Sequence, residues 1–145
     1  MPTLWTIGYE RLLPLELVNE LRLAGVQRVI DVRYRPQSRR PGMSKTRLAR
    51  LLHEHGIRYE HRRALGTPPE IRVLYRAGAT RSAAQAFAAH VESAGAGDLD
   101  ALAEELVTAP PTALLCLEAL PEHCHRSVVA GALRRRLPEL VVVDL

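Results

Sequence analysis

The hydrophobic pattern along the chain alternates between short apolar runs and stretches with a helical repeat. Most of the runs are rich in β-branched or aromatic residues and end near turn-forming residues, as expected of strands. They lie at residues 3–9, 26–33, 57–61, 112–118 and 140–145. The run at 112–118, TALLCLE, is nearly continuous, which is typical of a strand buried on both faces of a sheet. The pattern therefore predicts five strands.

Helical repeats and turn residues bound the helices between the first three runs. One helix opens at Pro14 and stops at Gly25, and another follows the N-cap residue Ser44 and stops at Gly56. The apolar positions expected to face the core are Leu15, Val18, Leu21 and Leu23 in the first helix, and Leu48, Leu51 and Leu52 in the second.

The remaining pattern completes an alternation of strands and helices. Residues 80–107 predict two helices split near residues 95–97, and a last helix precedes the final strand. Residues 34–43, with two prolines and a glycine, predict a loop. Such alternation favours a parallel sheet covered on both faces. We therefore predict an α/β protein in which residues 1–145 form a single three-layer domain, with a mainly parallel sheet of about five strands and helices on both faces.

Composition narrows the class of protein. No stretch reaches the roughly 18 uninterrupted apolar residues that a membrane span needs, and the first residues lack a charged leader with a cleavage site. We expect a cytoplasmic protein with no membrane partner. Its two cysteines, Cys116 and Cys124, are then expected to be reduced thiols, and a disulfide is the less favoured alternative.

Charge is distributed unevenly along the chain. Residues 28–63 contain eleven arginine or lysine residues and three acidic residues, so this segment carries about +8 and the remainder about −4 of the net +4. A basic segment of this kind favours a surface that attracts phosphate or nucleic acid. The alternative is an ordinary solvated surface in an arginine-rich chain.

Chemically useful side chains follow the predicted strands. In such sheets, the carboxyl ends of the strands and the helix starts that face them form the ligand crevice. Tyr9 and Glu10 follow the first strand, Asp31 and Arg33 end the second, and residues 116–126 join the later buried strand to the final helix. We expect these three segments to converge if their strands are neighbours.

The strongest local signal is Cys124-His125-Arg126 at the start of the final helix. Free backbone N–H groups and the helix dipole favour an anion there, and a guanidinium suits a phosphate or a carboxylate. The side chains predicted to bind the anion are Arg33, Arg39, Lys45, His125 and Arg126. A helix start also favours the thiolate form of a cysteine, so Cys124 is a candidate nucleophile. In the alternative interpretation, Cys124 is a small core residue and Arg126 pairs with Asp31 or Glu118.

Catalytic roles are less constrained by the sequence. The carboxylates Glu118, Asp31 and Glu10 are candidates for an acid or a base, and Tyr9, Glu10 and His125 for positioning a substrate. A lone carboxylate at a strand end is equally typical of an arginine partner. The cysteine, histidine and acidic residues near the final helix do not have the spacing of a standard zinc site, so we predict neither a metal nor a cofactor.

Motifs along nearly the whole chain resemble one protein family. They are Thr6-Ile7-Gly8-Tyr9, Asp31-Val32-Arg33, Ser38-Arg39, Pro41-Gly42-Met43-Ser44-Lys45, Gly56-Ile57-Arg58-Tyr59, Leu65-Gly66, Cys116-Leu117-Glu118 and Cys124-His125-Arg126. With these motifs the chain resembles domain-of-unknown-function family 488. The resemblance implies no established activity, but it implies that residues of these motifs form the site.

A weaker resemblance concerns Asp31-Val32-Arg33, Leu115-Cys116 and Arg126-Ser127. These residues are similar to motifs of rhodanese-like sulfurtransferases and cysteine phosphatases, in which a cysteine at a strand end begins a loop that wraps an anion and closes on an arginine. Here nine residues separate Cys116 from Arg126, which is more than in those families. The departure argues against Cys116 as a conventional nucleophile.

Three functional hypotheses remain. The leading one is a protein that binds a phosphate-containing ligand, a nucleotide or a nucleic acid, with hydrolase or transferase activity left open. The second is a non-catalytic nucleic-acid-binding module that uses residues 28–63. The third is a cysteine-dependent sulfurtransferase or phosphatase-like enzyme.

Overall fold

The structure is a computed structural model that describes residues 2–117 and 126–145. Its strands are β1 Thr3–Gly8, β2 Arg28–Asp31, β3 Arg58–His61, β4 Thr112–Cys116 and β5 Val141–Asp144. Its helices are α1 Pro14–Leu23, α2 Lys45–Glu54, α3 Pro69–Arg76, α4 Thr80–Ser93, α5 Ala96–Leu106 and α6 Arg126–Arg136, and a short 3-10 turn covers Arg63–Leu65. The five predicted strands are confirmed, whereas α3 was not predicted from the sequence pattern.

All five strands are parallel and pair in the order β3-β2-β4-β1-β5. The fully buried strand β4 lies at the centre, between β2 and β1. In the register of these pairs, Gly8 lies opposite Cys116 and Asp31 opposite Leu115. The carboxyl ends of β1, β2 and β4 therefore reach the same edge of the sheet.

Two apolar layers cover the sheet. On one face, α1 and α2 pack Leu17, Leu21, Leu48 and Leu52 against Ile7, Val29, Ala113 and Leu115. On the other face, α3 to α6 pack Ile71, Phe87, Val91, Leu102 and Leu133 against Leu4, Ile30, Leu114 and Cys116. Because neighbouring strand residues point to opposite faces, Val29 and Ile30 belong to different layers. The predicted three-layer α/β architecture is confirmed.

Two of the four residues predicted to face the core from α1 are exposed. In α1 the buried residues are Leu17, Val18 and Leu21, whereas Leu15 and Leu23 are 60% and 87% exposed. Leu15 and Leu23 are as apolar as the buried residues of α1, but they lie on the solvent side of the helix.

Ser44 precedes α2 as predicted, but its hydroxyl does not cap the helix. It accepts a hydrogen bond of 3.0 Å from the Ser38 N–H. This bond ties residues 34–43, which we call the basic loop, to the helix start. No helix within residues 2–117 or 126–145 is long and apolar enough to cross a membrane.

Candidate functional site

Backbone hydrogen bonds hold the segments that follow the strands side by side. The Tyr9 N–H donates to the Cys116 carbonyl at 3.1 Å, and the Val32 N–H donates to the Leu115 carbonyl at the same distance. The Arg62 N–H donates to the Asp31 carbonyl at 3.0 Å. The side chains that follow β1, β2, β3 and β4 are thus brought to one edge of the sheet, where parallel α/β proteins bind their ligands.

A buried ion pair between Asp31 and Arg33 lies at this edge. Asp31 is fully buried and Arg33 is 5% exposed. The Arg33 guanidinium donates to both carboxylate oxygens, with Nη2 at 2.7 Å from Oδ2 and Nε at 2.9 Å from Oδ1. The Arg33 backbone N–H and the Tyr59 hydroxyl also donate to Asp31. The carboxylate therefore has the hydrogen bonds that a buried charge needs.

The rest of the Arg33 guanidinium is also occupied. Nη1 donates to the Met43 carbonyl at 2.6 Å and to the Tyr9 hydroxyl at 3.3 Å. The guanidinium carbon lies 5.3 Å from the centre of the Tyr9 ring, within the range of a cation–π contact. Arg33 thus links β2 to the segment after β1 and to the end of the basic loop.

The charge of this pair perturbs its neighbours. Burial lowers the pKa of Arg33, but hydrogen bonds to Asp31 and the charge of Asp31 outweigh burial and raise it overall. Burial, followed by the nearby Asp31 charge, raises the pKa of Tyr59. Tyr59 therefore remains a neutral hydrogen-bond donor. Asp31 serves as the counterion of Arg33, which is the alternative role considered for a carboxylate at a strand end.

A cavity of about 120 Å³ opens beside this pair. It is lined by Tyr9, Arg33, Tyr34, Arg35, Gln37, Thr67, Arg72, Tyr75, Arg76 and Leu117. These residues come from the segments after β1, β2 and β4, from the segment before α3, and from α3 itself. No carboxylate is present in the part of this lining that the structure describes.

Three arginines on the cavity differ from Arg33 in having no partner. Arg35 follows β2, and Arg72 and Arg76 lie four residues apart on one side of α3. Within residues 2–117 and 126–145, none of the three guanidiniums forms an ion pair or a hydrogen bond. Arg72 is half-buried, whereas Arg35 and Arg76 are exposed. Their charge is available to a ligand.

Thr67 places an unsatisfied hydroxyl on the cavity wall. Its side chain is 2% exposed, and its Oγ1 has no hydrogen-bond partner among the described residues. Leaving a buried hydroxyl unpaired costs about 1–3 kcal/mol. A hydrogen-bond acceptor that reached this hydroxyl would remove the cost.

Gly66 allows the segment before α3 to lie against the segment that follows β2. A Cβ built on Gly66 would lie 2.4 Å from the Tyr34 nitrogen and 2.9 Å from the Arg33 carbonyl carbon. Only glycine allows the two backbones to approach in this way. The Leu65-Gly66 motif therefore shapes the cavity wall without providing chemistry.

Two open grooves adjoin the cavity. One is lined by Tyr34, Arg35, Pro36, Gln37, Lys45, His61 and Arg63. The other follows the basic loop and is lined by residues 36–42 and 44–47, which include Arg39, Arg40, Lys45 and Arg47. The predicted anion-binding residues Arg39 and Lys45 thus lie beside the cavity, in the second groove.

The other residues nominated from the sequence have different positions. Arg126 begins α6 as described, but its side chain is fully buried, and it does not line the cavity within the described residues. Glu10 is exposed on the β1–α1 segment, where its carbonyl accepts a hydrogen bond from Arg40. Glu118, Cys124 and His125 lie outside the described residues.

The expectation that Cys116 is a reduced thiol is wrong. Cys116 is fully buried at the end of β4 and forms a disulfide, so it is not the reduced thiol that the sequence suggested. Among the described residues, no group of three or more histidine, cysteine or acidic side chains could hold a metal ion.

Sequence reasoning missed Arg35, Thr67, Arg72, Tyr75 and Arg76. Arg35 lies in the same loop as Arg39 and Arg40, and no local pattern distinguishes it from them. Arg72 and Arg76 lie on α3, which the hydrophobic pattern did not reveal. Their four-residue spacing beside Tyr75 is the signal that would have placed them on one helix face.

Comparison with known proteins identifies a family for this chain. The model of the family described as domain of unknown function DUF488 matches residues 15–133. This match covers most of the chain and includes the cavity residues from Arg33 to Leu117, and it lends no support to the rhodanese-like resemblance. The chain matches no curated protein and no solved structure.

Proposed function

The chain belongs to the family described as domain of unknown function DUF488, and from the geometry of its cavity we propose that the protein binds a phosphate-containing ligand of the nucleotide class. One observation carries the proposal. Arg35, Arg72 and Arg76 bring three unpaired guanidiniums to a cavity whose wall holds the unsatisfied Thr67 hydroxyl.

Phosphate is the anion that suits this arrangement. A phosphate monoester carries about −1.5 to −2 charges near neutral pH and offers several acceptor oxygens. Guanidinium forks bind such groups through paired, charge-assisted hydrogen bonds. A hydroxyl such as that of Thr67 donates one further hydrogen bond. The described lining presents no negative side chain that would repel the ligand.

The aromatic lining favours a ligand larger than free phosphate. Tyr9, Tyr34 and Tyr75 give the cavity apolar surfaces between its cations. A ligand pocket typically combines such surfaces with a few polar groups that fix orientation. A nucleoside attached to the phosphate would cover the rings, which is the reason for naming the nucleotide class.

Calorimetric titration tests this proposal. We expect AMP or another mononucleotide to bind, inorganic phosphate to bind more weakly, and adenosine not to bind. Losing one charge-assisted hydrogen bond costs about 1.5–3 kcal/mol. Arg72→Gln should therefore weaken mononucleotide binding by roughly ten- to a hundredfold.

Arg50→Gln provides the matched control, because Arg50 is an exposed arginine of α2 that does not line the cavity. It should leave the affinity unchanged. Equal loss in both variants would indicate general charge attraction and contradict the cavity site. The absence of binding by every phosphate compound would reject the proposal.

Catalysis by this site stays a prediction from the sequence. Hydrolase or transferase activity would need a catalytic group such as the acid or base nominated at Glu118, which lies outside the described part of the chain. The described lining supplies tyrosine, arginine, glutamine, threonine and leucine side chains, which suit binding and orientation of an anion.

A further inference from the structure

The cavity and its two adjoining grooves form one continuous surface. Tyr34, Arg35 and Gln37 line both the cavity and the first groove. Pro36, Gln37 and Lys45 line both grooves. We call this surface the basic track: it runs from Arg72 and Arg76 in the cavity past Gln37 to the loop at residues 36–47. A ligand longer than one nucleotide could follow it without leaving the protein surface.

Apart from Arg33, which pairs with Asp31, the positive charges of the track lack acidic partners within the described residues. Arg63 stacks on the Tyr34 ring with its guanidinium carbon 4.3 Å from the ring centre, and it donates to the Tyr34 hydroxyl at 2.8 Å. Arg40 donates to the Glu10 and Leu12 carbonyls. These partners orient the guanidiniums without neutralising them. No aspartate or glutamate lines the cavity or either groove in the described residues.

Four arginines away from the track are paired with acids. Arg28 and Arg62 share Glu105, each at 2.7 or 2.8 Å. Arg135 and Arg136 share Glu92 at 3.0 and 2.7 Å. Acidic residues are therefore available on the surface but are absent from the lining of the track. A surface with several cations and no acidic residue in its described lining suits a polyanion.

We infer that the ligand of the cavity is the phosphate-bearing end of a single-stranded nucleic acid, whose following phosphates lie along the basic track. The inference rests on the proposed phosphate site and names its ligand class. A single strand has a free end that enters a cavity of about 120 Å³, whereas the paired, stacked end of a duplex is too large for it. Regularly spaced phosphates also match a surface that carries several separate cations.

The test compares ligands that differ only in length and end group. Calorimetric titrations use a mononucleotide, a dinucleotide, a tetranucleotide and an octanucleotide of one base, each with a 5′-phosphate, a 3′-phosphate or hydroxyl ends. A duplex octanucleotide and polyglutamate of similar charge complete the set. We expect affinity to rise by about tenfold or more from mononucleotide to octanucleotide, and to fall when the terminal phosphate is removed.

Variants separate the track from the cavity. The variant Arg47→Gln changes an exposed residue of the second groove. It should reduce the gain in affinity with length while leaving mononucleotide binding unchanged. It should also lower the slope of log K against log salt by about 0.7 for each lost phosphate contact. Arg72→Gln should weaken every ligand, and the control Arg50→Gln should weaken none.

The outcomes distinguish this inference from the proposed function. If mononucleotides bind in the cavity but length adds nothing, the inference is wrong and the phosphate site stands. If nothing depends on Arg72, both are wrong. Equal binding of the duplex would overturn the single-strand assignment, and equal binding of polyglutamate would identify an acidic protein segment as the ligand instead. Retained circular dichroism spectra confirm that the exposed substitutions leave the fold intact.

Discussion

Arg33 and Arg35 are two residues apart in the sequence, but they differ in burial and in hydrogen bonding. Arg33 is buried, bound to Asp31 through both carboxylate oxygens and held by Met43 and Tyr9. Arg35 is exposed on the cavity and has no partner within the described residues. The same residue type thus stabilises the fold at one position and presents free charge at the other.

The difference follows from the cost of burying charge. A buried guanidinium is tolerated only when a counterion and further acceptors replace its water. An exposed guanidinium keeps its water and needs no partner, so the fold gains little from it. Arginines that line a cavity without contributing to stability are therefore candidates for binding a ligand, and this separates Arg35, Arg72 and Arg76 from Arg33.

The largest expected difference in stability is between two single variants, Arg33→Gln and Arg35→Gln. Arg33→Gln leaves the Asp31 charge buried without its counterion, which should lower the free energy of unfolding by about 3–5 kcal/mol. Arg35→Gln should change it by no more than about 0.5 kcal/mol. Urea unfolding at neutral pH measures both. Similar values for the two variants would refute the contrast between a structural and a binding arginine.

Gly66→Ala tests the close approach of Gly66 to Tyr34 at the cavity wall. The added methyl group would lie 2.4 Å from the Tyr34 nitrogen, so the backbone must move. Overpacking of this kind costs about 1–3 kcal/mol, and here the displaced segment also carries Tyr34 and Arg35. We expect lower stability by urea unfolding together with weaker mononucleotide binding by calorimetry. A variant that loses stability but keeps its affinity would show that the cavity does not depend on this close approach.

Thr67→Val sharpens the comparison by separating binding from folding. Because the hydroxyl is buried without a described partner, its replacement by a methyl group should leave the unliganded protein equally stable or about 1 kcal/mol more stable. Mononucleotide affinity should fall by roughly five- to tenfold, since a neutral hydrogen bond contributes about 1 kcal/mol. Thermal unfolding with and without ligand measures both effects. A loss of stability in the free protein would instead assign Thr67 a structural hydrogen bond.

The smallest expected effect on stability concerns Glu92, whose partners Arg135 and Arg136 form ion pairs with it at the solvated surface. Hydrogen bonds from Arg136 and Arg135 lower the pKa of Glu92 from 4.5 to about 2. A pKa that is lower in the folded protein contributes stability above the unfolded value, and this contribution is lost as the pH falls from 4.5 towards 2. Because the group is largely exposed, the contribution at neutral pH should be below about 1 kcal/mol.

The comparison of the native chain with Glu92→Gln in urea unfolding checks this effect. The native chain should be slightly more stable at pH 7, and the difference should shrink as the pH approaches 2. A difference as large as that of Arg33→Gln would contradict the rule that burial determines the value of an arginine pair in this protein.

Local patterns were sufficient to predict most of the architecture. Apolar runs and glycine stops predicted β1, β2, β4 and α1 near their observed bounds, because burial on a sheet face or a helix side imposes a short repeat on the sequence. The pattern also predicted that Tyr9, Asp31 and the end of β4 lie at one edge, since parallel strands share their carboxyl ends. The family resemblance is confirmed by the match over residues 15–133.

Only the tertiary structure decided which charged residues are partners. No local repeat tells that Asp31 pairs with Arg33, that Arg35 has no partner among the described residues, or that Arg72 and Arg76 on α3 line the same cavity as the segment after β2. These relations depend on the strand order and on how closely Gly66 lets two backbones approach. Periodicity records whether a side chain is buried, because burial depends on the element that carries it. The partner of a side chain depends on contacts between segments far apart in sequence, which the short-range pattern does not encode.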